Sequence, residues 1–264
     1  MPASREISHT PVQSREIAPG VFWLIGCLSV PKGEDERIHS HVSAYLVLGD
    51  ARVALIDTGY PAMWPQFERE LDALLGDRAI DYLIPTHPEL PHSGNLPLLL
   101  RKFPEAEVHC DTRDHAVYFG APPERLHARR PGDRLDLGGH CLSFVDAVIR
   151  DLPASLWLYE ESTKTLFVAD GFSFSHEHEA GQCQMTSDEL PFEPAEEQIG
   201  FVSERALFWT TYADLDRMFD RLDDVLEEYD PGVIAPAHGS VISNPADIIP
   251  KVKDGMRGVS RFRG

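Results

Sequence analysis

The chain has 264 residues, 42% hydrophobic and 25% charged, and its 43 acidic and 24 basic side chains leave a formal net charge of -19. A chain of this length buries roughly 70–75% of its unfolded surface, so it needs neither disulfides nor metal merely to fold. The acidic excess disfavours nucleic acid and anionic membranes as partners, because both repel an acidic surface.

The cysteines and the N-terminus indicate the cellular compartment. The four cysteines, Cys27, Cys110, Cys141 and Cys183, form no Cys-x-x-Cys pair, which disfavours a zinc knuckle or a thioredoxin-type motif. Isolated thiols are typical of a reducing cytosol. Residues 1–13 lack the apolar core of a signal peptide, and no apolar run approaches the ~20 residues of a membrane span. We therefore expect a cytoplasmic protein.

Strands and helices alternate in the first half of the chain. Apolar runs bounded by turn residues predict strands, and apolar residues spaced i, i+3, i+4 predict helices. After a polar lead-in over residues 1–15, strands are expected at 21–25, 41–48, 52–57, 80–84 and 107–110, and helices at 64–75, after Asn95 and at 114–119.

The second half contains further strands and two longer helices. A polar connection at 129–136 precedes strands at 141–148, 156–160, 165–169 and 233–237, a long loop or lid at 175–198, and helices at 215–226 and 248–256. No break in composition marks a linker, so we expect a single domain over residues 1–264 with a tail at 251–264. Early hairpins with later interspersed helices predict an α/β protein with two mixed sheets packed face to face and helices outside.

The stretch after the strand at 80–84 carries three potential metal ligands, His87, Glu89 and His92. In an extended segment residues i and i+2 face the same side, so His87 and Glu89 can reach one ion together. His92 lies at the turn into the next helix and can reach a second ion. Pro88 and Pro91 stiffen the loop by fixing φ. A polar loop with chance spacing is the competing interpretation.

Further candidate ligands each follow an apolar run, and they are Asp151, Asp170 and His238. A turn or cap role is the alternative for the two acids. Asp57 also ends a strand, and we expect it to be a structural hydrogen-bond acceptor. Histidines that could line the pocket or hold the ligands in place are His41, His176 and His178. The carboxylate-rich set favours iron or manganese over zinc, which prefers His and Cys.

Several of these segments together resemble the metallo-β-lactamase fold over roughly residues 16–250. They are Leu-Ile-Asp-Thr-Gly at 55–59, Thr-His-x-Glu-x-x-His-Ser-Gly at 86–94, Asp170, and Ala-Pro-Ala-His-Gly at 235–239. The resemblance implies a four-layer αββα sandwich. Zinc hydrolases of that superfamily carry His-x-His-x-Asp-His. Glu89 stands where their second His would be, and in this the chain resembles the flavodiiron proteins, whose pattern is His-x-Glu-x-Asp-His.

The flavodiiron resemblance implies two iron ions, with zinc or manganese as the alternative. The implied ligands are His87, Glu89 and Asp151 for the first iron, His92 and His238 for the second, and Asp170 as the bridge. Two positions depart from the family pattern. Pro91 replaces an Asp ligand, which leaves open a partly filled second site, and Asp151 replaces the middle His.

The resemblance also implies a function, a non-haem di-iron oxidoreductase that binds and activates or reduces O2 or NO. Flavodiiron proteins carry a flavodoxin-like domain that delivers electrons, and we expect none within these 264 residues. Electrons would then come from a separate electron-transfer protein or an organic substrate. The sequence is also compatible with a homodimer. The alternatives are a metal-dependent hydrolase of an ester, lactam or thioester, against which Glu89 argues, and a non-catalytic O2 sensor.

Overall fold

Two mixed β-sheets carry the loops that bear the candidate ligands. The computed structural model describes residues 8–9, 11, 13–31, 37–176, 182–191 and 194–262. The strands of the first sheet are β1 Ser8–His9, β2 Gln13–Ala18, β3 Val21–Pro31, β4 Arg37–Leu48, β5 Val53–Ile56, β6 Tyr82–Ile84, β7 Glu107–Cys110 and β8 Leu126–Ala128. Those of the second sheet are β9 Arg134–Asp136, β10 Cys141–Asp146, β11 Leu156–Glu160, β12 Thr165–Phe167 and β13 Val233–Ala235.

Helices follow or connect these strands. They are α1 Trp64–Leu75, α2 Leu90–Ser93, α3 Leu96–Lys102, α4 His115–Phe119, α5 Glu196–Ser203, α6 Leu215–Tyr229 and α7 Pro245–Gly258. Short 3-10 turns lie at Pro61–Met63, Pro123–Arg125, Gln182–Gln184 and Phe208–Tyr212. None of the described helices has the length and apolar character needed to cross a bilayer.

Parallel strand pairs place the candidate ligands at the ends of neighbouring strands. The first sheet has the order β1-β3-β4-β5-β6-β7-β8, with β2 beside β3, and β5 to β8 run parallel. The second has the order β13-β12-β11-β10-β9, and its parallel pair is β12 and β13. Loops that follow parallel neighbours lie at the same edge of a sheet, where α/β proteins bind their ligands. Asp57 and His87 therefore share one edge of the first sheet, and Asp170 and His238 share one edge of the second sheet.

Three apolar cores separate four layers of secondary structure. Trp23 and Phe167 belong to the core between the two sheets. The outer face of the first sheet packs on α1 and α3 around Phe67, and the outer face of the second packs on α5, α6 and α7 around Phe219. The αββα sandwich with two mixed sheets and outer helices is thereby confirmed.

The first sheet extends further than the apolar runs predicted. β3 runs to Pro31 rather than ending at residue 25, and it pairs with β4 from Val21 opposite Val47 to Pro31 opposite Arg37. Gly26, Ser29 and Pro31 are residue types that strands disfavour, so propensity missed a pairing that tertiary structure imposes. The expected lead-in at 1–15 also contributes strands, because β1 and the start of β2 pair with β3.

Helix α5 lies partly in the segment expected to be a loop or lid, and α7 continues to Gly258, inside the expected tail. α5 has a weak sequence pattern because Gly200 sits on its buried face. It packs closely on α7, where a Cβ built on Gly255 would lie 2.6 Å from Cβ of Ile199. Small residues allow the two helix backbones to approach each other. Because small residues add little to the hydrophobic pattern of a sequence, the pattern does not predict α5.

Candidate metal centre

The carboxylate of Asp170 lies at the centre of three imidazoles. Its Oδ2 atom is 3.1 Å from Nε2 of His87, and its Oδ1 atom is 3.3 Å from Nε2 of His92 and 3.3 Å from Nε2 of His238. The side chains of His87, His92 and Asp170 are at most 3% exposed. One carboxylate therefore presents separate oxygen atoms to two different sets of imidazoles.

Hydrogen bonds fix the tautomer of two of these imidazoles. Nδ1 of His238 lies 2.6 Å from the carbonyl oxygen of His41, and a carbonyl only accepts, so this nitrogen carries the proton. Nδ1 of His92 lies 2.8 Å from Oδ2 of Asp57, a carboxylate that only accepts, so Nδ1 keeps its proton and Nε2 is the nitrogen available to a metal. Such contacts to carbonyls and carboxylates are the usual support of metal-bound histidines.

Asp57 connects the ends of β5 and β6 to His92. Besides the contact with His92, its Oδ1 atom accepts hydrogen bonds from the backbone N–H of Thr86 (2.8 Å) and from its hydroxyl (2.9 Å). Asp57 adopts a φ of 60°, a left-handed conformation that is unusual for a non-glycine residue. Its predicted role as a structural hydrogen-bond acceptor is confirmed.

A second group of ligand atoms adjoins the first through His87. His87, Glu89 and Asp151 offer ligand atoms within 4.8 Å of one another, as do His87, His92 and Asp170. Nε2 of His87 is 3.8 Å from Oε2 of Glu89, whose side chain is 46% exposed. The structure thus brings all six predicted ligands together, with Glu89 and Asp151 on the solvent side.

Buried polar atoms at this centre fit a bound cation. Within the described part of the chain, Nε2 of His87, Nε2 of His92 and Oδ2 of Asp170 are buried and make no hydrogen bond. Buried polar atoms are normally satisfied, and unsatisfied ones point to an ion or another missing partner. Carboxylate and imidazole donors in this ratio match the ligands of iron and manganese.

The pKa values reflect the crowding of acids and imidazoles. Burial opposes ionisation of Asp170, but His87 and His92 outweigh it and hold the pKa of this carboxyl well below its usual range. Burial likewise opposes protonation of His92, yet Asp57 and Asp170 raise its pKa well above the ordinary value. Burial, followed by repulsion from Asp170 and Glu89, raises the pKa of Asp151 to about 7.

Metal binding is expected to displace a proton from Asp151. With a pKa of about 7, this carboxyl is mostly protonated at pH 6 and mostly ionised at pH 8 in the metal-free protein. Wild type should therefore release about one more proton per chain than Asp151→Asn at pH 6 when the metal at His87 and Glu89 binds, and the difference should vanish at pH 8. Calorimetric titration with Mn²⁺ in buffers of different ionisation enthalpy measures it. An equal release from both proteins at pH 6 would contradict a role for Asp151.

Pro91, where the family pattern has an Asp, lies in the short helix α2 next to His92. Pro91→Asp introduces an anionic ligand there, and we expect the second metal to bind about tenfold more tightly, or about 1.4 kcal/mol. Pro91→Asn is the neutral control and should show no such gain. Chelator competition measures both affinities, and an unchanged affinity in Pro91→Asp would show that position 91 does not face the second metal.

Two cavities of different character approach the centre. A cavity of about 210 Å³ reaches His238, and its lining is mostly apolar, with Leu28, Val30, Phe201 and Val202 among its residues. Another, of about 300 Å³, opens at Asp151 and is lined also by Arg150, Pro153 and Trp209. The apolar wall could not be predicted, because Leu28 and Val30 lie in the part of β3 that strand propensity missed.

The three histidines expected near the pocket, His41, His176 and His178, are not all found there. His41 touches the centre through its backbone, by accepting from His238, but its side chain points into another cluster with Cys27 and His176. His178 lies outside the described residues. The thiols of Cys27 and Cys183 interact with each other, and all four cysteines remain thiols, as expected. Their sequence separation hid the contact.

A family model described as the metallo-beta-lactamase superfamily matches residues 38–238, from β4 to the last candidate ligand. The chain belongs to the metallo-β-lactamase superfamily. Its match covers β5 to β13 and all six candidate ligands, and β1 to β3 of the first sheet precede it. The predicted membership is therefore confirmed.

Named relatives within the superfamily include oxidases from two Methanothermobacter species. "Coenzyme F420H(2) oxidase" of M. thermautotrophicus is 28% identical over 90% of this chain and 60% of its own length. The protein of the same name in M. marburgensis is 31% identical over 89% of this chain and 59% of its own length. The chain thus spans about three fifths of these relatives.

Solved structures of superfamily members share the fold. Rubredoxin oxygen:oxidoreductase from Desulfovibrio gigas superposes with a TM-score of 0.77 at 19% identity, over 94% of this chain and 61% of its own. The flavodiiron protein of Giardia intestinalis gives a TM-score of 0.69 at 20% identity, over 94% and 60%. The predicted resemblance to flavodiiron proteins is confirmed at the level of the fold.

Proposed function

We propose that this chain holds a non-haem di-iron centre that binds O2 or NO and activates or reduces it. The observation that carries the proposal is the divided carboxylate of Asp170, with one oxygen toward His87 and the other toward His92 and His238. A carboxylate placed in this way suits a bridge between two metal ions. Glu89, beside His87, supplies a hard oxygen donor where the zinc hydrolases have a histidine.

The residues divide into two ligand sets around the bridge. The proposed ligands are His87, Glu89, Asp151 and Asp170 for one iron, and His92, His238 and Asp170 for the other. The second set has two imidazoles and one carboxylate, the combination typical of non-haem iron sites with open positions. When bound, the two irons supply the redox electrons and the open positions for a diatomic oxidant.

The protein around the ligands supports such chemistry. Asp57 and the His41 carbonyl hold His92 and His238 in the tautomer that presents Nε2. The apolar cavity at His238 favours weakly polar molecules such as O2 and NO over water. The more polar opening at Asp151 leaves the other side in contact with solvent.

The electron source is a separate donor or an organic substrate in this proposal. Support comes from the relatives whose printed names describe oxidation of a reduced coenzyme or of rubredoxin, each of which is longer than the matched part. The net charge of -19 favours a donor that presents basic residues, because complementary charge speeds association. A homodimer of the chain is a compatible assembly.

Anaerobic loading with Fe²⁺, followed by O2 or NO, tests the proposal. We expect about two irons per chain, an oxidant-dependent change in the optical spectrum, and repeated consumption of the oxidant when a chemical reductant is present. Zinc-loaded protein is the control and should consume neither gas. Stoichiometric zinc with turnover of an ester, lactam or thioester, and no reaction of the iron form, would overturn the proposal. Binding of O2 without turnover would instead indicate a sensor.

A further inference from the structure

A second cluster of metal-binding side chains lies beside the centre described above. Cys27, His41 and His176 are buried, and each offers a ligand atom within 4.8 Å of the others. Cys27 on β3 is paired directly with His41 on β4, so their side chains share one face of the sheet. His176 reaches the same place because its backbone exchanges two hydrogen bonds with His39, of 2.8 and 2.9 Å.

The distance between Cys27 and His176 is close to that between two ligands of a tetrahedral zinc ion. Sγ of Cys27 is 3.9 Å from Nε2 of His176. Zinc bonds of about 2.3 Å to sulfur and about 2.0 Å to nitrogen place two tetrahedral ligands about 3.5 Å apart, so a small contraction brings both atoms to one ion. The His41 and His176 rings lie with centroids 4.3 Å apart, so both imidazoles are near the thiol, and one ring must turn for both to face one ion.

The tautomer of His41 suits a ligand. Its Nε2 atom lies 3.0 Å from the carbonyl oxygen of Cys183, which only accepts, so Nε2 carries the proton and Nδ1 the lone pair. A histidine that donates its other N–H to a carbonyl is typical of metal sites. Cys183, whose carbonyl oxygen holds this tautomer of His41, is itself buried.

We propose that Cys27, His41 and His176 hold one Zn²⁺ in a buried structural site. One thiolate and two imidazoles form a donor set that zinc prefers, in contrast to the carboxylates around Asp170. The ion ties β3 and β4 to the segment that carries His176. It also fixes His41, whose carbonyl oxygen orients His238. The site requires no iron and goes beyond the proposed function.

Cobalt substitution of the full-length, metal-free chain tests the site. The ligands around Asp170 include no sulfur, so a thiolate-to-cobalt charge-transfer band comes from a cysteine site outside that centre, and its loss in Cys27→Ser assigns it to the cluster at Cys27. We expect this band in wild type, with about three cobalt ions per chain, and its loss in Cys27→Ser, with about two. Cys110→Ser is the matched control, because Cys110 is also buried and lies 3.4 Å from a histidine, His115. It should retain the band.

X-ray absorption on wild-type protein loaded with zinc provides a test that needs no variant. We expect sulfur at about 2.3 Å from zinc together with nitrogen at about 2.0 Å. The proposal is overturned by a zinc shell of nitrogen and oxygen alone, by a charge-transfer band that persists in Cys27→Ser, or by a disulfide between Cys27 and Cys183 in protein that takes up no third metal. None of these outcomes depends on whether iron at the other centre reacts with O2.

Discussion

Asp170→Asn is expected to empty both positions of the proposed di-iron centre at once. Each oxygen of this carboxylate faces a different set of imidazoles, so a neutral amide weakens both sites. We expect the affinity for each iron to fall at least about 100-fold, beyond the ~10–100-fold typical of residues that only support a ligand. Iron per chain after gel filtration and the rate of O2 consumption should fall together.

The control for this change is Asp223→Asn on α6, an exposed acid that pairs with Lys253. It should keep the wild-type iron content, and both variants should show the circular dichroism spectrum of the folded chain. Retention of one tightly held iron in Asp170→Asn would argue that Asp170 belongs to a single site and does not bridge.

Asp57→Asn is expected to weaken the second iron selectively. Asp57 accepts from His92 through Oδ2 and from Thr86 through Oδ1. An amide has one accepting oxygen, so the variant must lose one of these contacts and leave His92 poorly oriented. We expect about a 10–100-fold loss of affinity at the site of His92 and His238, with the site of His87 and Glu89 much less affected. Iron content at limiting free Fe²⁺ measures this difference in affinity between the two sites.

Asp81→Asn offers a matched control for Asp57→Asn. Asp81 also accepts from a backbone N–H, that of Val53 at 2.8 Å, but it contacts none of the candidate ligands. It should bind both irons as wild type does. Glu89→Ala should give the opposite pattern to Asp57→Asn, with loss at the first site. Equal loss of both irons in Asp57→Asn and Glu89→Ala would mean that the two positions are not separately held.

The candidate metal centre could be predicted well from sequence because its chemistry is local. His87, Glu89 and His92 fall within six residues, and the other acids and His238 each follow an apolar strand. Parallel strands bring such ends to one edge, so residue type and position are enough to name the candidates. The division of the Asp170 oxygens between two sets of imidazoles could not be predicted, since it depends on side-chain rotamers.

The cluster at Cys27 could not be predicted from the sequence, because its residues are brought together by long-range strand pairing. Cys27 and His176 are 149 residues apart, and Gly26 beside Cys27 ended the predicted strand. Only the continued pairing of β3 with β4 places Cys27 opposite His41. Contacts of this kind arise from long-range register, which neither periodicity nor motif spacing encodes.

The close approach of α5 and α7 lets a position far from the ligands change the cavity that reaches His238. Phe201 and Val202 of α5 form part of the apolar wall at His238. A side chain at Gly255 of α7 would press on Ile199 and displace α5, because its Cβ would lie only 2.6 Å from that residue. Selection acting on one outer-helix position can thus widen or narrow the apolar cavity, the proposed entry for O2 or NO, while every ligand residue stays unchanged.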